Sequence, residues 1–346
     1  MPISPQSGSD AVTTCRVLLA GLQLADSVET LEMEVQSAVG QLPSARVVLA
    51  DGNMPTGDWP LANTDTYLPG TEIEIQAGHG DTLSTIFKGL IVRMGVSIDA
   101  DNRSCLTLDC RDKAVAMTLT RRNAVYLDQT DSAVMETLIN QAGLAAAVDS
   151  TAFTHKELVQ FNCSDWDFVL ARAQANGLLL IAEDGTLNAK APVLDGEPAL
   201  KITWGENLCT FNAQLEARQQ PAQLKTAAGG QAEQTKAAPA RVRGTVRFQG
   251  SALAKLGGLL QVSGVGERFA GKLLIERLEH SIAEGLWMTE VGFGLGPQWP
   301  CASSDVIASP NGARLPGASN GSGSFVLPEV GDEVLVGFFG PPGPPN

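Results

Sequence analysis

The stretch LGGLLQVSGVGERFAGKLLIERLEHSIAEGLWMTEVGFGL, residues 256–295, contains strand patterns separated by turn residues. WMTEVGFGL places bulky side chains at every second position, with Glu290, Gly292 and Gly294 between them. This period of two is typical of a strand with one buried face. The loop GVGERFAG, ending in Phe269–Gly271, precedes the long run KLLIERLEHSI, and the turn AEG follows that run. The stretch therefore predicts strands joined by short turns.

The same order of signals occurs earlier in the chain. LPG at residues 68–70 precedes the alternating strand TEIEIQAG, and the loop GHGD leads to Phe87–Gly89, again with F-x-G spacing. A long strand, the polar turn DADN at residues 99–102 and the strand SCLTLDC complete the series. We therefore expect two related antiparallel β-barrels, residues 1–115 and 197–296. Phe87 and Gly89 are expected to correspond to Phe269 and Gly271, each pair preceding the long strand.

Residues 116–196 have a helical period instead. TDSAVMETLINQAG offers Thr130 or Asp131 as a cap, and SDWDFVLARAQANG begins at Ser164 and ends at Gly177. A hairpin around Asp184-Gly185 follows. These patterns predict a small α+β domain inserted in a mainly β protein. We interpret Trp166, Phe168 and Val169 as core residues of the second helix, with contact to a neighbouring subunit as the alternative.

The end of the chain is predicted to be a linker followed by part of a domain. Residues 297–346 begin as a loop rich in Gly and Ser and end with the strand DEVLVGFF after a VGD turn. Two strands cannot close a barrel, so we expect only the start of an OB-like domain there. Residues 219–240 lack aromatic and β-branched apolar side chains and are expected to be a flexible excursion.

The charge balance argues against a nucleic-acid partner, and the pattern of apolar residues argues against a membrane anchor. Asp and Glu number 38 against 24 Lys and Arg, giving a net charge of −14, which opposes binding to nucleic acid. No apolar run reaches the roughly 18 residues of a bilayer span, and no signal peptide is visible, so we expect no membrane anchor. Six cysteines occur without a CxxC pair. They are expected to be reduced, buried thiols in a protein made in the cytoplasm.

The sequence contains no pattern that predicts a catalytic site or a metal-binding site. His79, His155 and His280 fall in different segments without metal-ligand spacing, so they are expected to lie far apart. GASNG at residues 317–321 matches G-x-S-x-G by letter, but Pro316 stands where a strand should precede it. We therefore expect no catalytic, cofactor-binding or metal-binding residues.

Three stretches of the sequence carry a resemblance to a known family. FNCSDWDFVLARAQANGLLLIAEDGTL, residues 161–187, resembles the signature of the type VI secretion spike (VgrG) and phage late-control D family. PEVGDEVLVGFF, with Pro328, Gly331 and Asp332, is similar to that family's junction with its OB-like spike base, and residues 241–280 resemble its second barrel. The nearest resemblance is to hub-spike proteins of extracellular contractile injection systems. The matching residues of the first motif are Ser164, Asp165, Trp166, Phe168, Arg172, Asn176 and Gly177.

The resemblance implies a structural role without catalytic residues or cofactors. It implies a homotrimeric baseplate hub of a phage tail-like particle, which can be released from the cell. Two barrels per subunit would form a pseudo-sixfold ring that adapts a hexameric inner tube to a trimeric spike. Other implied partners are baseplate proteins and a spike-tip protein.

Two departures from the family leave alternatives open. Residues 219–240 are shorter than the usual insertion, and the β-helical needle is absent, so the needle is not assigned to this chain. Either the hub is naturally short, with its spike on another polypeptide, or the sequence is incomplete. Other functions remain as alternatives, namely a cell-envelope glycan hydrolase with paired carboxylates, or a monomeric β-rich binding module.

Overall fold

The computed structural model describes residues 4–5, 12–80, 82–215 and 242–294. The first β repeat consists of β1 (Thr13–Leu19), β2 (Leu22–Gln23), β3 (Thr30–Ala38), β4 (Ser44–Ala50), β5 (Glu72–His79), β6 (Thr82–Ile98) and β7 (Ser104–Arg111). The insertion consists of β8 (Arg121–Thr130), α1 (Asp131–Gln141), β9 (Ala145–Val148), β10 (Thr154–Ser164), α2 (Asp165–Ala175), β11 (Leu179–Glu183) and β12 (Thr186–Lys190). The second β repeat consists of β13 (Leu200–Thr203), β14 (Leu208–Leu215), β15 (Val242–Gln249), β16 (Leu259–Ser263), β17 (Gly271–Ala283) and β18 (Leu286–Phe293). Short 3-10 helices cover Asp65–Tyr67 and Lys113–Thr118.

Alternation along each strand separates the core from the solvent. In β5, Ile73, Ile75 and Ala77 are at most 1% exposed, whereas Glu74 and Gln76 point the other way. A strand with this period of two forms readily when one face of its sheet is buried. The mainly β fold with a small α+β insertion is therefore confirmed.

One sheet of 13 strands joins the two β repeats. Its main path runs β14-β15-β18-β17-β3-β4-β7-β6-β5-β1-β2, while β16 lies between β17 and β13. The link is the antiparallel pairing of β17 with β3, from Arg277 opposite Ala38 to Ala283 opposite Glu32. The two repeats are therefore continuous through backbone hydrogen bonds in a single chain.

Three main apolar clusters follow the two repeats and the insertion. One is formed chiefly by β1 and β3–β7, a second by residues 114–189, and a third by strands of the second repeat. Ile282 and Trp287 are exceptions, because they lie in the second repeat but pack in the first cluster. The boundaries at residues 115/116 and 196/197 stay a prediction.

The insertion is organised by the local signals in its sequence. The Thr130 hydroxyl accepts a hydrogen bond from Ala133 N at the start of α1, and the Ser164 hydroxyl accepts one from Asp167 N at the start of α2. Gly177 follows α2 with φ 70°, a conformation that glycine adopts without strain. Strands β8 and β10 pair antiparallel, while β12 pairs antiparallel with β11 and parallel with β9.

Several sequence predictions concern residues outside the described ranges. These are the excursion at residues 219–240 and the partial OB-like domain with Pro328, Gly331 and Asp332. No helix within the described residues is long and apolar enough to cross a membrane. Cys15, Cys105, Cys110, Cys163 and Cys209 are free thiols.

Candidate functional site

The two β repeats have the same strand order. The order β3-β4-β7-β6-β5-β1 in the first corresponds to β14-β15-β18-β17-β16-β13 in the second. One polarity differs, since β1 is antiparallel to β5 whereas β13 is parallel to β16. The duplication predicted from the order of turn signals is therefore confirmed by the topology.

The register aligns the two repeats residue by residue. β6 changes partner from β5 to β7 at Leu90–Ile91, and β17 changes partner from β16 to β18 at Leu274–Ile275. A one-residue bulge follows at both places, at Val92 and Glu276. Two bulges at matching positions fix the alignment, because each shifts the register by one residue.

This alignment places KGLIVRMGVSI, residues 88–98, on KLLIERLEHSI, residues 272–282. Six of these eleven positions are identical, namely Lys88/Lys272, Leu90/Leu274, Ile91/Ile275, Arg93/Arg277, Ser97/Ser281 and Ile98/Ile282. The sequence therefore contained a direct signal of the duplication that reasoning from turns alone missed.

The predicted equivalence of the two F-x-G motifs is wrong. Phe87 and Gly89 lie inside β6, whereas Phe269 precedes β17 and Gly271 is its first residue. By the register of the repeats, Phe87 corresponds to Gly271. The glycines also differ, because a Cβ on Gly89 would lie 2.2 Å from the Arg111 carbonyl oxygen, whereas Gly271 has open space and φ 141°.

Replacing Gly89 by alanine is therefore expected to destabilise the protein by about 1–3 kcal/mol, since the neighbouring backbone must move. Gly95→Ala on the same strand is the matched control, because a Cβ there meets nothing within 4 Å. The control is expected to be neutral or to stabilise by roughly 0.4–1 kcal/mol. Urea denaturation of both variants measures the difference, and equal stabilities would show that the close approach at Gly89 is absent.

Trp287 forms the junction between the repeats. It is 2% exposed, and its ring centroid lies 5.3 Å from that of His79 and 5.7 Å from that of His280. The expectation that the three histidines lie far apart is therefore wrong for His79 and His280. The pairing of β17 with β3 is the reason, because it brings the second repeat against the first core.

Within the described part of the chain, the partners of both histidines at this junction are groups other than carboxylates. His79 Nε2 donates to the Gly250 carbonyl at 2.8 Å, and His280 Nδ1 lies 2.9 Å from the Thr289 hydroxyl and 3.3 Å from Trp287 Nε1. Burial lowers the pKa of His280 to about 3, so this ring is neutral at physiological pH. These contacts join His79 to the turn after β15, and His280 to β18.

A buried charged network holds the insertion together. Asp131, at the start of α1, accepts hydrogen bonds from Arg172 at 2.6 and 3.0 Å, from Asn176 at 2.9 Å and from His155 at 3.1 Å. Burial by itself raises the pKa of Asp131, but the Arg172 charge and the three donors outweigh it and hold the pKa below its usual range. Two residues of the family-like motif, Arg172 and Asn176, therefore connect the end of α2 to the start of α1.

The two aromatic residues of the same motif are core residues in the protomer. Trp166 is 6% exposed and Phe168 is 2% exposed, and both pack in the insertion's apolar cluster. Phe168 also stacks on Tyr126 of β8, with ring centroids 5.8 Å apart. The geometry matches the interpretation of these side chains as helix packing.

Three carboxylates that lie close to another acidic residue in the sequence, Glu72, Glu74 and Asp165, already have structural partners. Glu72 pairs with Lys113 at 2.5 Å, and Glu74 accepts from Thr85 at 2.7 Å. Asp165 binds Arg122 on β8, with Arg122 Nε 2.5 Å from Oδ1, and also accepts from Gln160. Among the described residues, no group of three His, Cys, Asp or Glu side chains is arranged to hold a metal ion.

Two of the strand edges of the large sheet that lack a partner within the described residues belong to β14 and to the end of β6. β14 pairs with β15 on one side alone, and β6 beyond its bulge pairs with β7 alone. Val96 and Ile98 on β6 are 52% and 63% exposed, and Leu215 on β14 is 52% exposed. Open edges with exposed apolar side chains are typical of surfaces that bind another chain.

No curated protein matches the sequence. A family model described as the Alg8 N-terminal domain matches residues 9–238 and 223–284. The chain belongs to the Alg8 N-terminal domain family.

Several solved structures are similar in fold to this member of the Alg8 N-terminal domain family. The 43 kDa tail protein of prophage MuSo2 from Shewanella oneidensis is 12% identical, with a TM-score of 0.62 over 81% of this chain and 98% of that one. A tail protein from Neisseria meningitidis MC58 is 13% identical, with a TM-score of 0.62 over 84% and 99% of the two chains. The E. coli c3393 protein, a type VI secretion component, is 13% identical, with a TM-score of 0.60 over 82% and 78%.

At these identities the likeness establishes the fold. The fold of this Alg8 N-terminal domain member is that of phage tail and type VI secretion proteins. The resemblance to the hub and spike family seen in the sequence is therefore confirmed.

Proposed function

We propose that this chain is a structural baseplate hub of a contractile, phage tail-like injection apparatus, and that it assembles as a homotrimer. Its two repeats have one strand order in one continuous sheet, and this observation carries the proposal. Three copies contribute six similar repeats, which can form an approximate sixfold surface. The same assembly keeps true threefold symmetry elsewhere.

This combination of symmetries fits an adaptor between unlike partners. A hexameric inner-tube protein can stack on a surface of six similar repeats, and a trimeric spike can bind the threefold side. The description of the E. coli protein as similar to T4 tail proteins gp27 and gp5 supports such a place in the particle. Baseplate proteins and a spike-tip protein are further proposed partners.

The proposed role requires no catalysis. His155 is hydrogen-bonded to Asp131 in a buried network that also contains Arg172. His280 is buried beside Trp287. Both arrangements stabilise packing. The net charge of −14 favours a surface to which anionic passengers do not adhere.

Measurement of the mass in solution tests the proposal. Native mass spectrometry and light scattering at micromolar concentration are expected to give three times the mass of one chain. Class averages from negative-stain microscopy are expected to show a ring with six similar lobes around a channel. A stable monomer at these concentrations would overturn the hub proposal and favour the monomeric binding module.

A further inference from the structure

The duplication shows which contact is missing from a single chain. In the second repeat, β17 beyond its bulge is paired on both edges, with β18 and with β3. In the first repeat, the matching part of β6 is paired with β7 alone among the described strands. The strand corresponding to β3 is β14, whose outer edge is likewise open as far as the structure describes the chain. The pairing of β17 with β3 thus has an unfilled counterpart, β6 with β14.

Burial of matching residues indicates the same vacant position. Ile282 is 7% exposed where β3 covers it, whereas its counterpart Ile98 is 63% exposed. His280 is 3% exposed, whereas its counterpart Val96 is 52% exposed. Residues 96 and 98 are apolar, although in the single chain they face solvent. Such side chains on an unpaired edge are costly unless another strand covers them.

The register between the open edges follows from the pairings of the repeats. Asp109 pairs with Arg93, and Gly292 pairs with Arg277. Each arginine directly follows the bulge of its strand, so Asp109 and Gly292 occupy equivalent positions. Asp109 pairs with Arg46, which pairs with Glu34. Gly292 pairs with Thr245, which pairs with Asn212. Glu34 on β3 therefore corresponds to Asn212 on β14.

We propose that β14 of one copy pairs antiparallel with β6 of the next copy, beyond the β6 bulge, in the register that β3 has with β17. Ser281 faces Glu34 in the chain, so Ser97 faces Asn212 between copies. The inference rests on the proposed homo-oligomer and specifies its interface. The remaining intermolecular pairs are Met94 with Leu215, Gly95 with Gln214, Val96 with Ala213 and Ile98 with Phe211.

A second copy of this chain is the occupant that the geometry favours. The two open edges have complementary apolar positions, and each matches one side of a contact that the chain already forms internally. The contact is head to tail, because different surfaces of each copy meet, and such contacts close into rings when the rotation allows. Repeating it alternates the two repeats around a ring, each joined to the next by the same type of strand pairing.

A disulfide across the proposed interface tests the register. Gly95→Cys and Gln214→Cys would place directly opposed Cβ atoms about 4.5–5.5 Å apart, close to the range that disulfides span. A side chain at residue 95 meets nothing within 4 Å in the protomer, so the fold tolerates it. On oxidation, the double variant is expected to form linked species up to three chains on a non-reducing gel.

Co-expression of the two single variants, one with a size tag, establishes whether the link joins different copies. A band at the summed mass of a tagged and an untagged chain is the expected result. The single variants alone measure any linking through native thiols such as exposed Cys209. Gly95→Cys with Ala213→Cys is the matched control, because residue 213 faces the opposite side of the sheet from residue 214.

The outcomes separate this inference from the hub proposal. A trimeric mass without a 95–214 link overturns the interface and leaves the hub intact. Equal linking of the control pair also overturns the register. A monomer overturns both proposals, and occupation of the β6 edge by a different protein in isolated particles overturns the choice of a second copy.

A charge at the covered position provides an independent measurement. Ile98→Asp is expected to weaken assembly at least tenfold in a dilution series, while the protomer stays folded because the side chain is 63% exposed there. Met54→Asp, at a side chain 76% exposed in a loop, is the control and is expected to assemble normally. Normal assembly of Ile98→Asp would overturn the inference.

Discussion

Replacing Arg172 by alanine is expected to lower the free energy of unfolding by about 3–5 kcal/mol, because it leaves a buried charge without its partner. Asp131 is 3% exposed, and Arg172 supplies two of its hydrogen bonds. Asn176 keeps its hydrogen bond to Asp131, but a neutral amide cannot replace the positive charge of the guanidinium. Urea denaturation followed by circular dichroism measures the loss.

Two further variants separate charge burial from general damage. Arg172→Met combined with Asp131→Asn removes both charges and is expected to recover part of the lost stability, since no unpaired ion remains. Arg103→Ala is the exposed counterpart, because the Arg103 side chain is 79% exposed where it pairs with Asp99 and Asp101. It is expected to cost less than about 1 kcal/mol. Similar losses for Arg103→Ala and Arg172→Ala would contradict the importance of burial.

The dependence on pH provides a second measurement of the same network. The pKa of Asp131 is below its usual range in the folded protein, so its ion pair contributes stability above the unfolded value of about 3.9. That contribution is lost as the pH falls through the folded pKa. The difference in stability between the wild-type protein and Arg172→Ala is therefore expected to be full at pH 7 and to narrow below about pH 4.

Features encoded by neighbouring residues were predictable from the sequence. Thr130 and Ser164 cap the helices, and Gly177 follows the second one, because cap chemistry depends on residues within one helical turn. The duplication was also predictable, since turn residues recur in the same order in both repeats. Its alignment was not, because F-x-G is a short pattern and its two copies occupy different places relative to the long strand. The longer match between residues 88–98 and 272–282 decides the alignment.

The periodicity of the sequence could not predict the contacts between residues far apart in the chain. His79 and His280 meet at Trp287 because β17 pairs with β3, and a period of two does not specify which strands pair. The sequence placed Asp131 at a helix start, where a solvated cap is the ordinary interpretation. Its burial against Arg172 follows from the packing of α1 on α2, which the two separate helical patterns do not reveal.

Replacing Trp287 by alanine is expected to destabilise the protein by about 3–5 kcal/mol, because a large buried side chain leaves a cavity. The indole lies in the second repeat and packs in the first apolar cluster. Its loss should therefore weaken both repeats together, with faster amide hydrogen exchange in β3 as well as in β17. Trp204→Ala is the matched control, since that indole is 70% exposed, and it is expected to leave stability nearly unchanged.

Gly250 provides the complementary change at the same contact. A Cβ on Gly250 would lie 2.0 Å from the Trp287 ring, so Gly250→Ala alone is expected to cost about 1–3 kcal/mol through overpacking. In the Trp287→Ala background the cavity can accept that methyl group, and the cost of Gly250→Ala should fall toward zero. The two changes are therefore expected to be strongly non-additive in a double-mutant cycle. Additive losses would mean that Gly250 and Trp287 are not in contact. The junction between the repeats would then be held by the β17–β3 pairing and not by the packing of Trp287.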